Sequence, residues 1–110
     1  MVKFITLLYG KPGVSNEEFR KHWLEVHGPL VAKSKLPFGI VKYKQDHLIK
    51  LPGFTYHHDN LLGIAELWHD TLESHNRMVN DQEVFKAMRE DVQLFSNEDD
   101  FYMVDEKIIV

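Results

Sequence analysis

The stretch IVKYKQDHLIKLPGFTYHHDNLLGIAELWH, residues 40–69, decides the fold because it contains two strand patterns with no helix between them. Residues 40–51 alternate with a period of two, which is typical of a strand, and one face carries Val41, Tyr43, Gln45, His47 and Ile49. Residues 61–69 form the second pattern. They are apolar on both faces except at Glu66 and the end, so both faces are expected to be covered.

Helix and strand patterns flank this pair on each side. Residues 2–9 predict a first strand, and helical apolar spacing from Phe19 to Leu30 predicts the first helix. A second helix, broken near Asn80, precedes a last strand over residues 101–110. The order β-α-β-β-α-β predicts an α+β, ferredoxin-like fold with one antiparallel sheet and the helices on one face.

Composition limits the class of protein. The 110 residues suit a single domain, residues 1–110, and the formal net charge of −4 argues against a nucleic-acid partner. There is no cysteine. No stretch resembles a membrane span or a signal peptide, so we expect a cytoplasmic protein with no membrane partner. The seven histidines are a high count and indicate acid–base chemistry.

Helices on one side of a sheet leave the other side without cover. The apolar residues Leu61, Ala65 and Leu67 are expected on that side. We therefore expect a homodimer through the sheet face.

Three motifs resemble the EthD-like family of the dimeric α+β barrel superfamily, over residues 2–97. The most specific motif, F-x-x-x-W-x-x-x-H-x-P-L, is met by Phe19, Trp23, His27, Pro29 and Leu30. The family's histidine at the end of the second strand corresponds to His47, and its E-L-W motif corresponds to residues 66–68.

This resemblance implies a back-to-back dimer with a small-molecule cleft between sheet and helices in each subunit. Relatives serve alkyl-ether degradation beside a cytochrome P450, isomerise a methylmuconolactone, or dehydrate and decarboxylate aromatic polyketides. The leading hypothesis is an enzyme that acts on an apolar, carbonyl-bearing compound of aromatic, polyketide-like or lactone type by isomerisation, dehydration or decarboxylation. These reactions need only a histidine that takes and returns a proton, so no cofactor is expected. The alternative is an auxiliary ligand-binding protein of an oxygenase pathway, without its own chemistry.

The candidate catalytic residues are His47, His27 and Tyr43. His47 would move the proton, because imidazole titrates near neutral pH, and His27 and Tyr43 would orient or polarise the carbonyl. The expected ligand-binding walls are Trp23, Val41, Gln45, Ile49, Glu66, Trp68, Phe85 and Met88. Haem binding through His27 or His47 is a third hypothesis, and no metal site is expected.

The remaining histidines have simpler interpretations. At 100° per residue, His22 lies on the opposite margin of the helix stripe from His27, which favours a packing role. The pair at residues 57–58 favours a solvated loop. His69 and His75 are expected at the surface.

Overall fold

The computed structural model describes residues 1–110, apart from the side chains of residues 98 and 99. In chain order its elements are β1 (Val2–Gly10), α1 (Asn16–His22), a π-helical turn (Trp23–His27), α2 (Gly28–Ala32), β2 (Ile40–His47), β3 (Leu61–His69), α3 (Leu72–Val79), α4 (Val84–Phe95) and β4 (Ser96–Val104). The strands form one antiparallel sheet in the order β2-β3-β1-β4. This order confirms the ferredoxin-like prediction.

Side-chain caps mark the starts of α1 and α3. Ser15 Oγ accepts the backbone N–H of Glu18 at 3.1 Å, and Thr71 Oγ1 accepts that of Ser74 at 3.0 Å. The predicted break near Asn80 is confirmed, since α3 ends just before this residue. None of the helices that the described residues form has the length and apolar character needed to cross a bilayer.

The core lies between the sheet and the helices, and Trp23 is fully buried within it. The indole contacts β3 directly at Gly63, where a Cβ atom would overlap the ring. Glycine is therefore the residue that permits this close approach of helix and sheet.

Two predicted strand boundaries are wrong. The second strand ends at His47 instead of continuing to residue 51, and β4 occupies Ser96–Val104 instead of residues 101–110. The polar start of β4 has no strand-like alternation, but its backbone pairs with β1, where Gly10 lies opposite Ser96. Backbone hydrogen bonding to a central strand outweighs side-chain pattern here.

The strand register also corrects the expected faces of the sheet. Ala65 lies opposite Thr6, and Leu67 lies opposite Phe4, on the face that the helices cover. Glu66 alternates with them and lies on the outer face. Ala65 and Leu67 are therefore not on the uncovered side.

Candidate functional site

A cavity lies between the sheet and the helices and is called the helix–sheet cavity below. Its lining consists of Phe4, Thr6, Leu8, Trp23, His27, Val31, Tyr43, Ala65, Leu67, Met78, Phe85, Met88, Arg89, Val92 and Phe101. The volume open to the centre of a water-sized sphere is about 60 Å³, more than one water requires. A mostly apolar lining with a few polar side chains is the usual form of a small-molecule site.

The π-helical turn positions His27, which is only 7% exposed. Gly28 N–H bonds the carbonyl of Trp23, five residues earlier, and Pro29 has no N–H to continue a regular ladder. His27 Nδ1 lies 2.9 Å from Asp91 Oδ2 on α4. A carboxylate only accepts hydrogen bonds, so Nδ1 carries the proton and Nε2 is the ring nitrogen available to a ligand.

His22 bonds the same carboxylate, with its Nε2 2.9 Å from Asp91 Oδ1. The expectation that His22 and His27 occupy opposite margins of the helix is therefore wrong. A regular α-helix separates residues five apart by about 140°, whereas a π turn brings i and i+5 together. The turn thus allows both imidazoles to reach Asp91.

Burial lowers the pKa of His27 below its usual value, and the hydrogen bond to Asp91 opposes part of that shift. The positive charge of Arg89 lowers this pKa further. At neutral pH, His27 is therefore a neutral imidazole with a lone pair on Nε2. Any cation it forms by taking a proton lies beside the Asp91 carboxylate.

Gln45 connects Tyr43, the main chain and His47 through three hydrogen bonds. Its Nε2 donates to the Tyr43 hydroxyl at 2.9 Å and to the carbonyl of Trp23 at 2.7 Å. Its Oε1 lies 3.0 Å from His47 Nε2, which must donate to it. Since the Tyr43 oxygen accepts from Gln45, its own O–H hydrogen can be donated to a ligand. Burial raises the pKa of Tyr43, so the hydroxyl stays protonated at neutral pH.

His47 does not line the helix–sheet cavity. It lies in a shallow surface groove with Leu24, Gly28, Tyr43 and Gln45, called the His47 groove below. Its ring packs against the indole of Trp23, and Trp23 itself lines the cavity. His47, His27 and Tyr43 were expected to act on one carbonyl, and the position of His47 outside the cavity corrects that expectation. Tyr43, by contrast, lines both the cavity and the groove.

The predicted walls divide into two sets. Trp23, Phe85 and Met88 line the cavity as expected. Val41 is 52% exposed, because a register shift between residues 40 and 42 turns it away from the helix face. Ile49 is 69% exposed, because β2 ends before it.

Glu66 and Trp68 lie on the outer face and do not line the cavity. Glu66 Oε1 lies 2.6 Å from Lys3 Nζ, and Trp68 Nε1 donates to Glu106 at 3.2 Å. Gln45, also predicted as a wall, lines the His47 groove and does not line the helix–sheet cavity. The strand alternation that separates Glu66 from Leu67 explains the first two corrections.

Three polar residues of the site were not predicted from the sequence: Thr6, Arg89 and Asp91. Arg89 and Asp91 flank the apolar stripe of α4, a position usually occupied by solvated charges. The only sequence signal is their place at the margin of that stripe. Their role depends on the packing of α4 against the first helix.

The remaining histidines differ in burial. His69 and His75 are buried, which corrects the surface expectation, and His69 Nδ1 bonds the carbonyl of Phe38 at 2.7 Å. The pair at residues 57–58 is exposed in a loop, as predicted. The described side chains include no group of three or more His, Asp or Glu residues arranged to hold a metal ion.

Solved structures share this fold. An EthD family protein from Bacillus halodurans has a TM-score of 0.74 and 20% identity, covering 97% of this chain and 100% of that one. A dimeric protein of ferredoxin-like fold from Bacteroides fragilis has a TM-score of 0.69 and 14% identity, covering 96% and 95%. SnoaB, a cofactor-independent oxygenase from Streptomyces nogalater, has a TM-score of 0.63 and 14% identity, covering 99% and 95%. At such identities the likeness concerns the fold alone.

The sequence itself identifies the family. No curated protein matches the chain. The family model described as the EthD domain matches residues 11–99, most of its length. The helix motif that contains Trp23 and His27 and the α4 segment that contains Asp91 both fall inside the match. The chain therefore belongs to the EthD family.

Proposed function

We propose that this protein is an enzyme that moves a proton on an apolar, carbonyl-bearing molecule of aromatic, polyketide-like or lactone type. The observation that carries the proposal is the hydrogen-bonded pair of buried His27 and half-buried Asp91, with the imidazole lining the helix–sheet cavity, which Tyr43 also lines. Proton transfer of this kind needs no cofactor. SnoaB from Streptomyces nogalater is described as a cofactor-independent oxygenase, so catalysis without a cofactor has a parallel on this fold.

In the proposed reaction, His27 Nε2 takes a proton from the carbon next to the carbonyl. The C–H electron pair forms a carbon–carbon double bond, and the carbonyl electrons move to the oxygen, which becomes an enolate. The Tyr43 hydroxyl donates a hydrogen bond to this oxygen, and Asp91 stabilises the imidazolium.

The atom to which His27 returns the proton determines the reaction class. Delivery to another carbon of the enolate gives an isomer. Delivery to a β-hydroxyl releases water and gives an unsaturated carbonyl compound. In either case His27 regains its neutral form, so one group serves as base and then as acid.

Deuterium exchange tests this function without knowledge of the natural substrate. The probes are three neutral compounds, propiophenone, 1-tetralone and γ-phenyl-γ-butyrolactone, incubated with the protein in D2O and followed by NMR. We expect protein-dependent exchange at the α-carbon of at least one probe, abolished by His27→Gln and retained by His57→Gln. Binding without exchange would instead support the auxiliary role, and exchange that survives His27→Gln would remove His27 from the mechanism.

We also propose that the outer face of the sheet pairs with a second copy of the chain. Leu7 and Ile64 form a half-buried apolar pair on this face, and none of the helices among the described residues covers it. The dimeric Bacteroides fragilis structure supports the idea. Light scattering should give twice the chain mass for the wild type and for Leu36→Glu, an exposed control, and the chain mass for Leu7→Glu.

A further inference from the structure

Arg89 contributes a positive charge to the helix–sheet cavity. On α4 it precedes Asp91 by two residues, and Met88 and Val92, which come just before and just after this pair in the sequence, are buried in the core. At 100° per residue, Arg89 and Asp91 lie on opposite flanks of that apolar stripe. The helix therefore offers a guanidinium on one flank and the carboxylate partner of His27 on the other.

An aromatic side chain supports the guanidinium. Arg89 Cζ lies 4.4 Å from the centroid of the Phe101 ring, and that ring stacks on Phe4 with centroids 5.4 Å apart. A cation over an aromatic face is held in a defined plane. A guanidinium has five N–H donors, so Arg89 can bind a ligand while it keeps its contacts within the chain.

Arg89 and His27 lie at different depths in the cavity. Phe101 is 40% exposed, and Arg89 is half-buried, whereas His27 is buried. A charged ligand group beside Arg89 would therefore remain partly hydrated, which reduces the cost of its desolvation. The apolar part of the same ligand would pass Met88 and Val92 towards His27.

We propose that Arg89 binds the carboxylate of an oxo- or lactone-carboxylic acid whose reactive carbonyl lies deeper, beside His27 and Tyr43. The inference rests on the proposed function and narrows its substrate class from carbonyl compounds in general to those with an anionic end. A guanidinium matches a carboxylate because both are planar and can form two parallel hydrogen bonds.

The charge of Arg89 provides a second readout. Arg89 lowers the pKa of His27, so a bound carboxylate that offsets this charge should raise the pKa. A neutral ligand in the same cavity would lack that effect. The carboxylate of the substrate would thereby make His27 a stronger base towards that same substrate.

The experiment compares 4-oxo-4-phenylbutanoate with its methyl ester, which has the same ketone and ring but no charge. Binding is measured by titration of the chemical shifts of the protein. We expect the acid to bind at least about 10-fold more tightly than the ester, the contribution of a charge-assisted hydrogen bond. The pKa of the His27 ring should rise with the acid and not with the ester.

Three variants assign that preference to Arg89. Arg89→Gln should weaken binding of the acid but not of the ester, so that the two ligands bind equally. Lys86→Gln, an exposed cation of the same helix, should behave as wild type. Arg89→Lys keeps the charge, so it should retain part of the preference if Arg89→Gln proves unfolded.

The outcomes separate the two proposals. Equal binding of acid and ester, or failure of both to bind, would overturn the role of Arg89, and His27-dependent exchange on the neutral probes would still stand. The converse outcome is a preference for the acid that depends on Arg89, together with exchange that His27→Gln does not affect. It would support the anion site at Arg89 and contradict the proposed reaction.

Discussion

The indole of Trp23 and the imidazole of His47 pack together with ring centroids 4.4 Å apart. Trp23 lines the helix–sheet cavity and His47 lines only the groove. A molecule in the cavity therefore meets His27 and Tyr43, and His47 can affect it only indirectly, through Trp23 or through Gln45. This arrangement assigns different roles to the two histidines that the family motifs contain.

His47→Gln should lower the rate of α-proton exchange by only a few-fold, because the glutamine amide can still donate to Gln45 Oε1. The measurement is the exchange rate in D2O, compared with the rate of His27→Gln under the same conditions. A loss with His47→Gln as large as that with His27→Gln would show that His47 takes part in the chemistry directly.

Asp91→Asn should lower the exchange rate by at least about 10-fold, since the amide no longer fixes the tautomer of His27 or stabilises its cation. Because Asp91 raises the pKa of His27, its loss should also move the acid limb of the pH–rate profile to lower pH. Glu90→Gln, an exposed neighbour on α4, is the matched control. An acid limb that does not shift would contradict the prediction that Asp91 raises the pKa of a catalytic His27.

Tyr43→Phe should reduce kcat by about 10²-fold with little change in KM, as expected for a group that stabilises the enolate oxygen. It should also lower the free energy of unfolding by about 1 kcal/mol, because Gln45 loses an acceptor. Tyr56→Phe is the control, since its hydroxyl bonds the loop backbone at Ile49. An unchanged kcat in Tyr43→Phe would exclude the phenol as a donor to the substrate.

Acidification should destabilise the fold through His69, which is 0% exposed and whose pKa burial lowers from the ordinary 6.5. Below pH 6.5 the unfolded chain binds a proton that the folded chain does not, so the free energy of unfolding falls as pH decreases towards the folded pKa. The limit is about 1.4 kcal/mol per pH unit for one proton. The buried His27 and the half-buried His47 act in the same direction.

Urea titrations between neutral pH and pH 5 measure this effect. His69→Asn should show a shallower dependence on pH than the wild type, because its amide can bond the Phe38 carbonyl without titrating. His57→Asn, in the exposed loop, should keep the wild-type dependence. Parallel curves for all three proteins would contradict the assignment to His69.

The order of elements could be predicted from the sequence because it depends on local patterns. Alternation in residues 40–47 and the caps at Ser15 and Thr71 determine where strands and helices begin. The faces of β2 were less predictable. One register shift beside Val41 changes which residues of β2 face the helices, and no residue type in that stretch indicates the shift.

The site depends on contacts between elements distant in sequence, so local patterns identify only part of it. His27 and Tyr43 were predicted from their residue types, their spacing and, for His27, the family motif, and both line the helix–sheet cavity. Asp91 was missed, since its partner His27 lies 64 positions earlier in the chain. A buried imidazole requires such a partner, but only the packing of α4 on the first helix identifies which carboxylate supplies it.

The wide turn at Trp23–His27 links the winding of the helix to its length. Removing one residue, for example Glu25, would place the two imidazoles four positions apart, the same-face spacing of a regular α-helix, so both could still reach Asp91. Regular winding at the full length would instead separate them by about 140°. Winding and length must therefore change together if both rings are to keep their shared carboxylate.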